Sequence, residues 1–112
     1  MKKIHVYLSL HSLNRFKQRM NTDKSKKEIV KELNEKFSVG LFREDPRYVR
    51  RQVLNLPIIG GAFGLCPDKD YFGKENHYCA ETFLTSFKTL NGEEVEVEYK
   101  LTKDAEERLS KL

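Results

Sequence analysis

Asn91-Gly92-Glu93-Glu94-Val95-Glu96-Val97-Glu98-Tyr99-Lys100-Leu101 opens on a turn pair and then alternates without a break. Val95, Val97, Tyr99 and Leu101 fall on one side of an extended chain, and Glu94, Glu96, Glu98 and Lys100 on the other. This is the pattern of a strand with one face buried and one face wet. Asn91 and Gly92 both tolerate positive φ, which predicts a type I′ turn ahead of it. Upstream, residues 78–88 alternate as well, with Cys79, Glu81, Phe83, Thr85 and Phe87 set against Ala80, Thr82, Leu84 and Ser86. The two segments read together as an antiparallel hairpin. Downstream, Thr102 caps a short terminal helix in which Asp104, Glu106 and Glu107 precede Arg108 and Lys111, an order that complements the helix dipole.

Toward the N-terminus the period changes. Ile4-His5-Val6-Tyr7-Leu8 is a short run of strand-favouring residues and reads as a covered first strand. Ser9 or Ser12 then caps a helix to about Asn21, with Leu13, Phe16 and Met20 on one stripe. Ser25-Lys26-Lys27-Glu28 has the spacing of a capping box. The helix it opens carries Ile29, Val30, Leu33 and Phe37 on one face, and Ser38-Val39-Gly40 stops it. Asp45-Pro46 resembles an N-cap followed by proline, so residues 47–54 read equally as a short helix or a strand. Gly60-Gly61-Ala62-Phe63-Gly64 lacks both the Lys-Ser/Thr ending of a phosphate loop and dinucleotide spacing, and reads as a bend or bulge in an apolar strand. The order is strand, helix, helix, antiparallel sheet and short helix, an α+β arrangement in one domain spanning residues 1–112.

At 112 residues the chain has length for a single core. Two cysteines are too few for a secreted disulfide framework, which points to a reducing, cytoplasmic setting. The longest apolar stretch, residues 56–66, is cut by Pro57, Gly60, Gly61 and Gly64, so no membrane partner is expected. The net charge of +4 conceals a division. Residues 1–55 hold fourteen bases against six acids, a balance of +8, and residues 56–112 hold seven against eleven, a balance of −4. A basic half of this kind suits RNA or another polyanion.

Within that half, His11, Arg15 and Arg19 recur at four-residue steps and share a helix face. Cleavage of RNA by its own 2′-hydroxyl needs a base of near-neutral pKa and cations for the phosphorane, with no metal. The neighbouring guanidinium groups would keep His11 neutral and available as that base. A second basic cluster, Arg43, Arg47, Arg50 and Arg51 with Tyr48 interleaved, supplies phosphate contacts and a ring to stack on an unpaired base. Cys66, His77 and Cys79, with His5 or His11 as a fourth, lack the paired spacing of a zinc site, and neither metal nor cofactor is expected.

His11-Ser12-Leu13-Asn14-Arg15-Phe16-Lys17-Gln18-Arg19-Met20, preceded by a strand and followed by the helix containing Ile29-Val30-Lys31-Glu32-Leu33, resembles the N-terminal part of small toxin-type ribonuclease domains of the barnase, EndoU, colicin and RelE-like group. The resemblance covers residues 4–37. It implies two N-terminal helices packed on an antiparallel sheet of about four strands, and metal-independent endoribonuclease activity. His11 would match the family histidine, and Arg15 and Arg19 the helix arginines. Such domains often carry a further polar residue on a late strand, for which Thr82, Thr85 and Ser86 are available; Thr85, on the aromatic side of its strand, is the candidate. A cognate immunity or host protein would accompany a toxin. The alternative is a non-catalytic phage or mobile-element protein that grips nucleic acid, a nucleotide or a host protein.

Overall fold

The computed structural model describes residues 1–44, 52–67, 74–85 and 91–111. In chain order these residues form β1 (Lys3–Leu8), α1 (Leu10–Met20), α2 (Lys26–Lys36), β2 (Val39–Glu44) and β3 (Gln52–Leu56). After a 3₁₀ turn at Pro57–Ile59 come β4 (Gly61–Pro67), β5 (His77–Leu84), β6 (Glu93–Leu101) and α3 (Lys103–Ser110). The six strands close into a barrel in the order β1-β5-β4-β3-β2-β6. The expected open antiparallel sheet of about four strands is therefore incorrect, because the sheet is mixed and has no free edge. None of the helices is long and apolar enough to cross a membrane, among the described residues.

The error lies in strand partners. β5 and β6 do not pair as a hairpin; β1 lies between them and runs parallel to both, with His5 opposite His77 on one side and Glu98 on the other. Alternation along β6 assigns its buried and exposed faces but says nothing about which strand hydrogen-bonds to it. The inserted strand suits its position. Ile4, Val6 and Leu8 are 0% exposed and Tyr7 only 5%, the near-continuous burial of a parallel strand with neighbours on both sides. Closure removes the unpaired edges that an open sheet would present.

Val95, Val97 and Tyr99 of β6 meet Ile4, Val6 and Leu8 in one core with Phe42, Leu54, Leu56, Phe63, Leu65 and Phe83. Alternation fails once along β5, where the register shifts opposite Gly64/Leu65 and puts both Ala80 and Phe83 in the core. Gly61 exists to seat the Phe83 ring: a Cβ there would overlap Phe83 Cζ and lie 3.0 Å from both Cε atoms.

Each helix is anchored to the barrel through a named contact. Ser9 caps α1 by accepting from Ser12 N–H, and its own hydroxyl donates to Ala80 O of β5 at 2.9 Å. Phe16 then reaches Phe83 at 4.8 Å and Phe63 at 6.0 Å between ring centroids. The Ser25–Glu28 capping box opens α2. Pairing between β2 and β6 stops at Val39 opposite Glu96, and Asn34 of α2 takes over where the strand partner ends. Its Nδ2 donates to Tyr99 O at 2.9 Å, and its Oδ1 accepts from Tyr99 N–H at 2.8 Å. The buried Tyr99 hydroxyl donates to Phe37 O at 2.9 Å, satisfying a carbonyl at the end of α2. Burial pushes this phenol well above its ordinary range.

Two substitutions test this packing by chemical denaturation. Asn34→Ala leaves two strand groups without partners and should cost about 2–6 kcal/mol, at roughly 1–3 kcal/mol for each buried unpaired group. Gly61→Ala should cost about 1–3 kcal/mol through displacement of the Phe83 ring. Wild-type stability in either variant would contradict the corresponding contact.

Candidate functional site

A strand with Ile4, Val6 and Leu8 in the core must direct Lys3, His5 and Tyr7 to the opposite face. The register then sets what they meet. His5 lies between His77 and Glu98, Tyr7 between Cys79 and Lys100, and Lys3 beside Glu96. The His5 and His77 rings stack with centroids 4.5 Å apart and planes 12° from parallel. Tyr7 lies 5.8 Å from the His77 ring, and its hydroxyl oxygen is hydrogen-bonded to His77 Nδ1 at 2.9 Å. A phenol can donate to the neutral ring or accept from Nδ1–H of the imidazolium, so this contact survives a change of protonation. Glu98 binds Lys3 Nζ and Lys100 Nζ, each at 3.1 Å, and these two ammonium groups hold its carboxyl below the usual range.

The two imidazoles are half-buried. His5 Nδ1 is shielded from solvent without a hydrogen-bond partner among the described residues. Burial, and next the positive potential of His77, depress the His5 pKa below its ordinary 6.5, with Glu98 opposing and Lys3 and Lys100 reinforcing the shift. His5 is therefore neutral at pH 7, a ring able to accept a proton.

His77 also forms part of a cleft of about 570 Å³, lined further by Lys2, Gln52, Lys74, Glu75, Asn76 and Tyr78. The Tyr78 ring contacts Phe42 at 5.2 Å between centroids, and Lys2 Nζ lies 4.9 Å above the Phe42 ring. Burial, then Glu44 and Glu75, raise the Tyr78 pKa, which keeps the phenol protonated.

The residues singled out from the sequence lie elsewhere. His11 is exposed in the first turn of α1, Arg19 is exposed in its last turn, and Arg15 is half-buried with Nη1 donating to Gln18 Oε1 at 3.3 Å. Thr85 is exposed one residue beyond β5. Through Phe16 and Phe83, α1 lies over the end of β5 that leads to Thr85. No hydrogen bond, ion pair or ring contact joins His11 to Thr85, or either of them to His5 or His77, among the described residues. Arg43 is half-buried on β2 opposite Val53. Arg47, Tyr48, Arg50 and Arg51 fall outside the described residues. No three His, Cys, Asp or Glu side chains converge as metal ligands among the described residues.

Sequence reasoning missed the His5, Tyr7 and His77 grouping. Half of the signal was present, since Lys3, His5 and Tyr7 alternate with Ile4, Val6 and Leu8 and so share a face. The other half, the parallel register with β5, has no local signature. No family model, curated protein or solved structure matches this chain. Its functional reading rests on the geometry of the site.

An NMR titration should place the His5 midpoint below 6.5. His77→Gln should raise it by removing the neighbouring positive potential, and Glu98→Gln should lower it further. Because folded His5 holds its proton less tightly than the unfolded chain does, stability is intact above about pH 6.5 and declines as pH falls toward the native midpoint. His5→Gln should flatten that part of the stability curve. A midpoint at 6.5 or above, unmoved by either neighbour, would contradict the proposed environment.

Proposed function

We propose that this chain is a metal-independent endoribonuclease whose acid and base are His77 and His5. The observation that carries the proposal is the stacked histidine pair with Tyr7 bonded to one of its rings. Transphosphorylation of RNA requires one neutral and one protonated group close together, and two coupled imidazoles in unlike surroundings can supply both. Neutral His5 takes the proton of a ribose 2′-hydroxyl as that oxygen attacks the adjacent phosphorus. The bond from phosphorus to the 5′-oxygen breaks, and the His77 imidazolium gives its proton to the leaving oxygen. The products are a 2′,3′-cyclic phosphate and a 5′-hydroxyl. Tyr7 holds the His77 ring through both protonation states, and Lys3 and Lys100 oppose the charge that builds on phosphorus.

The face of α1 bearing His11, Arg15 and Arg19 serves in this scheme as an RNA-binding surface instead of the reacting centre. Thr85, near the same end of β5, and Arg43, Arg47, Tyr48, Arg50 and Arg51 are further candidate RNA contacts. The basic N-terminal half supports this placement. A cytoplasmic setting belongs to the same reading, on the ground that two cysteines are too few for a secreted disulfide framework. A toxin of this kind would be held in check by an immunity or host protein.

Incubation of purified protein with total RNA in EDTA is the test. Wild type should release cyclic-phosphate ends. His5→Ala and His77→Ala should each lower the rate about 10²- to 10⁴-fold, the usual contribution of a general acid or base. His11→Ala should weaken binding in a salt-dependent way and leave the cleavage chemistry in place. Full activity in both the His5 and His77 variants would overturn the assignment. Salt-sensitive RNA binding with no turnover would favour the non-catalytic binder, a reading to which the exposed His11 and Arg19 already lend support.

A further inference from the structure

Cys66 of β4 and Cys79 of β5 take no part in the acid–base chemistry, yet they stand directly opposite each other in the antiparallel ladder. Their neighbours Leu65 and Ala80 also form a pair, and both are 0% exposed in the core. Alternation then turns the two thiols together to the other face, where each is half-buried. Cys66 Sγ reaches across the ladder and lies 3.9 Å from Cys79 O. Opposite residues of antiparallel strands hold their Cα atoms about 4.5–5.5 Å apart, inside the range of about 4.4–6.8 Å that a disulfide spans. Their Cβ atoms stand about 4.5–5.5 Å apart, against about 3.5–4.5 Å in a disulfide, so closure must draw β4 and β5 slightly together. The paired stretch that must yield is short. It runs from the register shift at Gly64/Leu65 to Pro67, which ends β4 and has no N–H to give to the ladder.

We propose that Cys66 and Cys79 form a reversible cross-strand disulfide, a redox-modification site set beside the Tyr7–His77 contact. The oxidant is a low-molecular-weight disulfide such as glutathione disulfide. One cysteine thiolate attacks a sulfur of that reagent; its S–S bond breaks, a mixed disulfide forms, and the first glutathione leaves as a thiolate. The second cysteine thiolate attacks the protein sulfur of the mixed disulfide and expels the other glutathione thiolate. The two protons given up by the cysteines pass to the two departing thiolates. The protein loses two electrons and the reagent gains two. A bond that closes only by drawing strands together is readily reduced again, which makes it a switch and not a permanent staple. It also lies where it bears on the histidine pair. His77 shares a face of β5 with Cys79, two residues on, and Cys79 lies opposite Tyr7 of β1. Pulling β5 toward β4 therefore alters the spacing from β5 to β1, across which Tyr7 and His77 are hydrogen-bonded at 2.9 Å. Neither the disulfide nor its effect on His77 depends on RNA cleavage.

The purified chain is equilibrated in glutathione buffers of increasing oxidised fraction, trapped with N-ethylmaleimide and weighed by mass spectrometry, while NMR follows the cysteine Cβ carbons and the His77 ring. Oxidation should yield a monomer lighter by two hydrogens than the dithiol, which takes up no maleimide and returns to the dithiol with dithiothreitol. Both Cβ resonances should move downfield together, the His77 ring should shift, and the spectrum should keep the dispersion of the folded chain. Cys66→Ser and Cys79→Ser should each abolish the loss of two hydrogens. Glutathione adducts or disulfide-linked dimers as the sole oxidised products, or a dithiol that persists in glutathione disulfide alone, would overturn the proposal. Unfolding on oxidation would overturn it equally. A disulfide that leaves the His77 ring unmoved would overturn its coupling to the histidine pair. A redox-sensitive His77 in a chain that does not cleave RNA would leave the switch standing and reject the ribonuclease reading.

Discussion

The parallel insertion of β1 between β5 and β6 is the constraint on which the rest of the molecule depends. It closes the barrel, covers two strand edges at once and places the first strand of the chain among the last. Fixing Ile4, Val6 and Leu8 in the core leaves no freedom for the opposite face, because a slip of one residue would exchange every buried side chain for an exposed one. The register that buries those three residues is the same register that sets His5 between His77 and Glu98. The candidate site is thus a consequence of barrel closure, held by the backbone ladder instead of by a loop.

The local elements were legible wherever a side chain acts on its own backbone. Ser25 and Glu28 make the capping box their spacing announces, Ser9 and Thr102 cap the helices that follow them, and β6 spans the alternating segment with Val95, Val97 and Tyr99 buried. Partnership between strands was not legible. The alternation of β6 is the same whether its neighbour is β5 in a hairpin or β1 in parallel, and the Asn91-Gly92 pair pointed to the wrong one. β2, which follows the Ser38-Val39-Gly40 helix stop, was overlooked because Gly40 reads locally as punctuation. A Cβ at Gly40 would meet Leu54 Cδ1 at 2.7 Å, so this glycine answers to its tertiary neighbours and not to helix termination.

The same distinction accounts for the site. His11, Arg15 and Arg19 form a pattern because one helix supplies all three, and sequence spacing finds such patterns easily. His5, Tyr7 and His77 come from strands about seventy residues apart, and nothing in the sequence between them encodes their approach. Once they are together, their surroundings become unequal in a chemically useful way. Burial and a neighbouring imidazole depress the His5 pKa, while Tyr7 is bonded to His77. Differences of this kind allow two like side chains to take opposite parts in proton transfer.

Interstrand nuclear Overhauser contacts test the central claim most directly. Barrel closure predicts cross-peaks between the His5 and His77 rings, together with parallel backbone contacts from β1 to both β5 and β6. Direct antiparallel contacts between β5 and β6, with the His5 and His77 rings far apart, would contradict it and remove the basis for the acid–base pair.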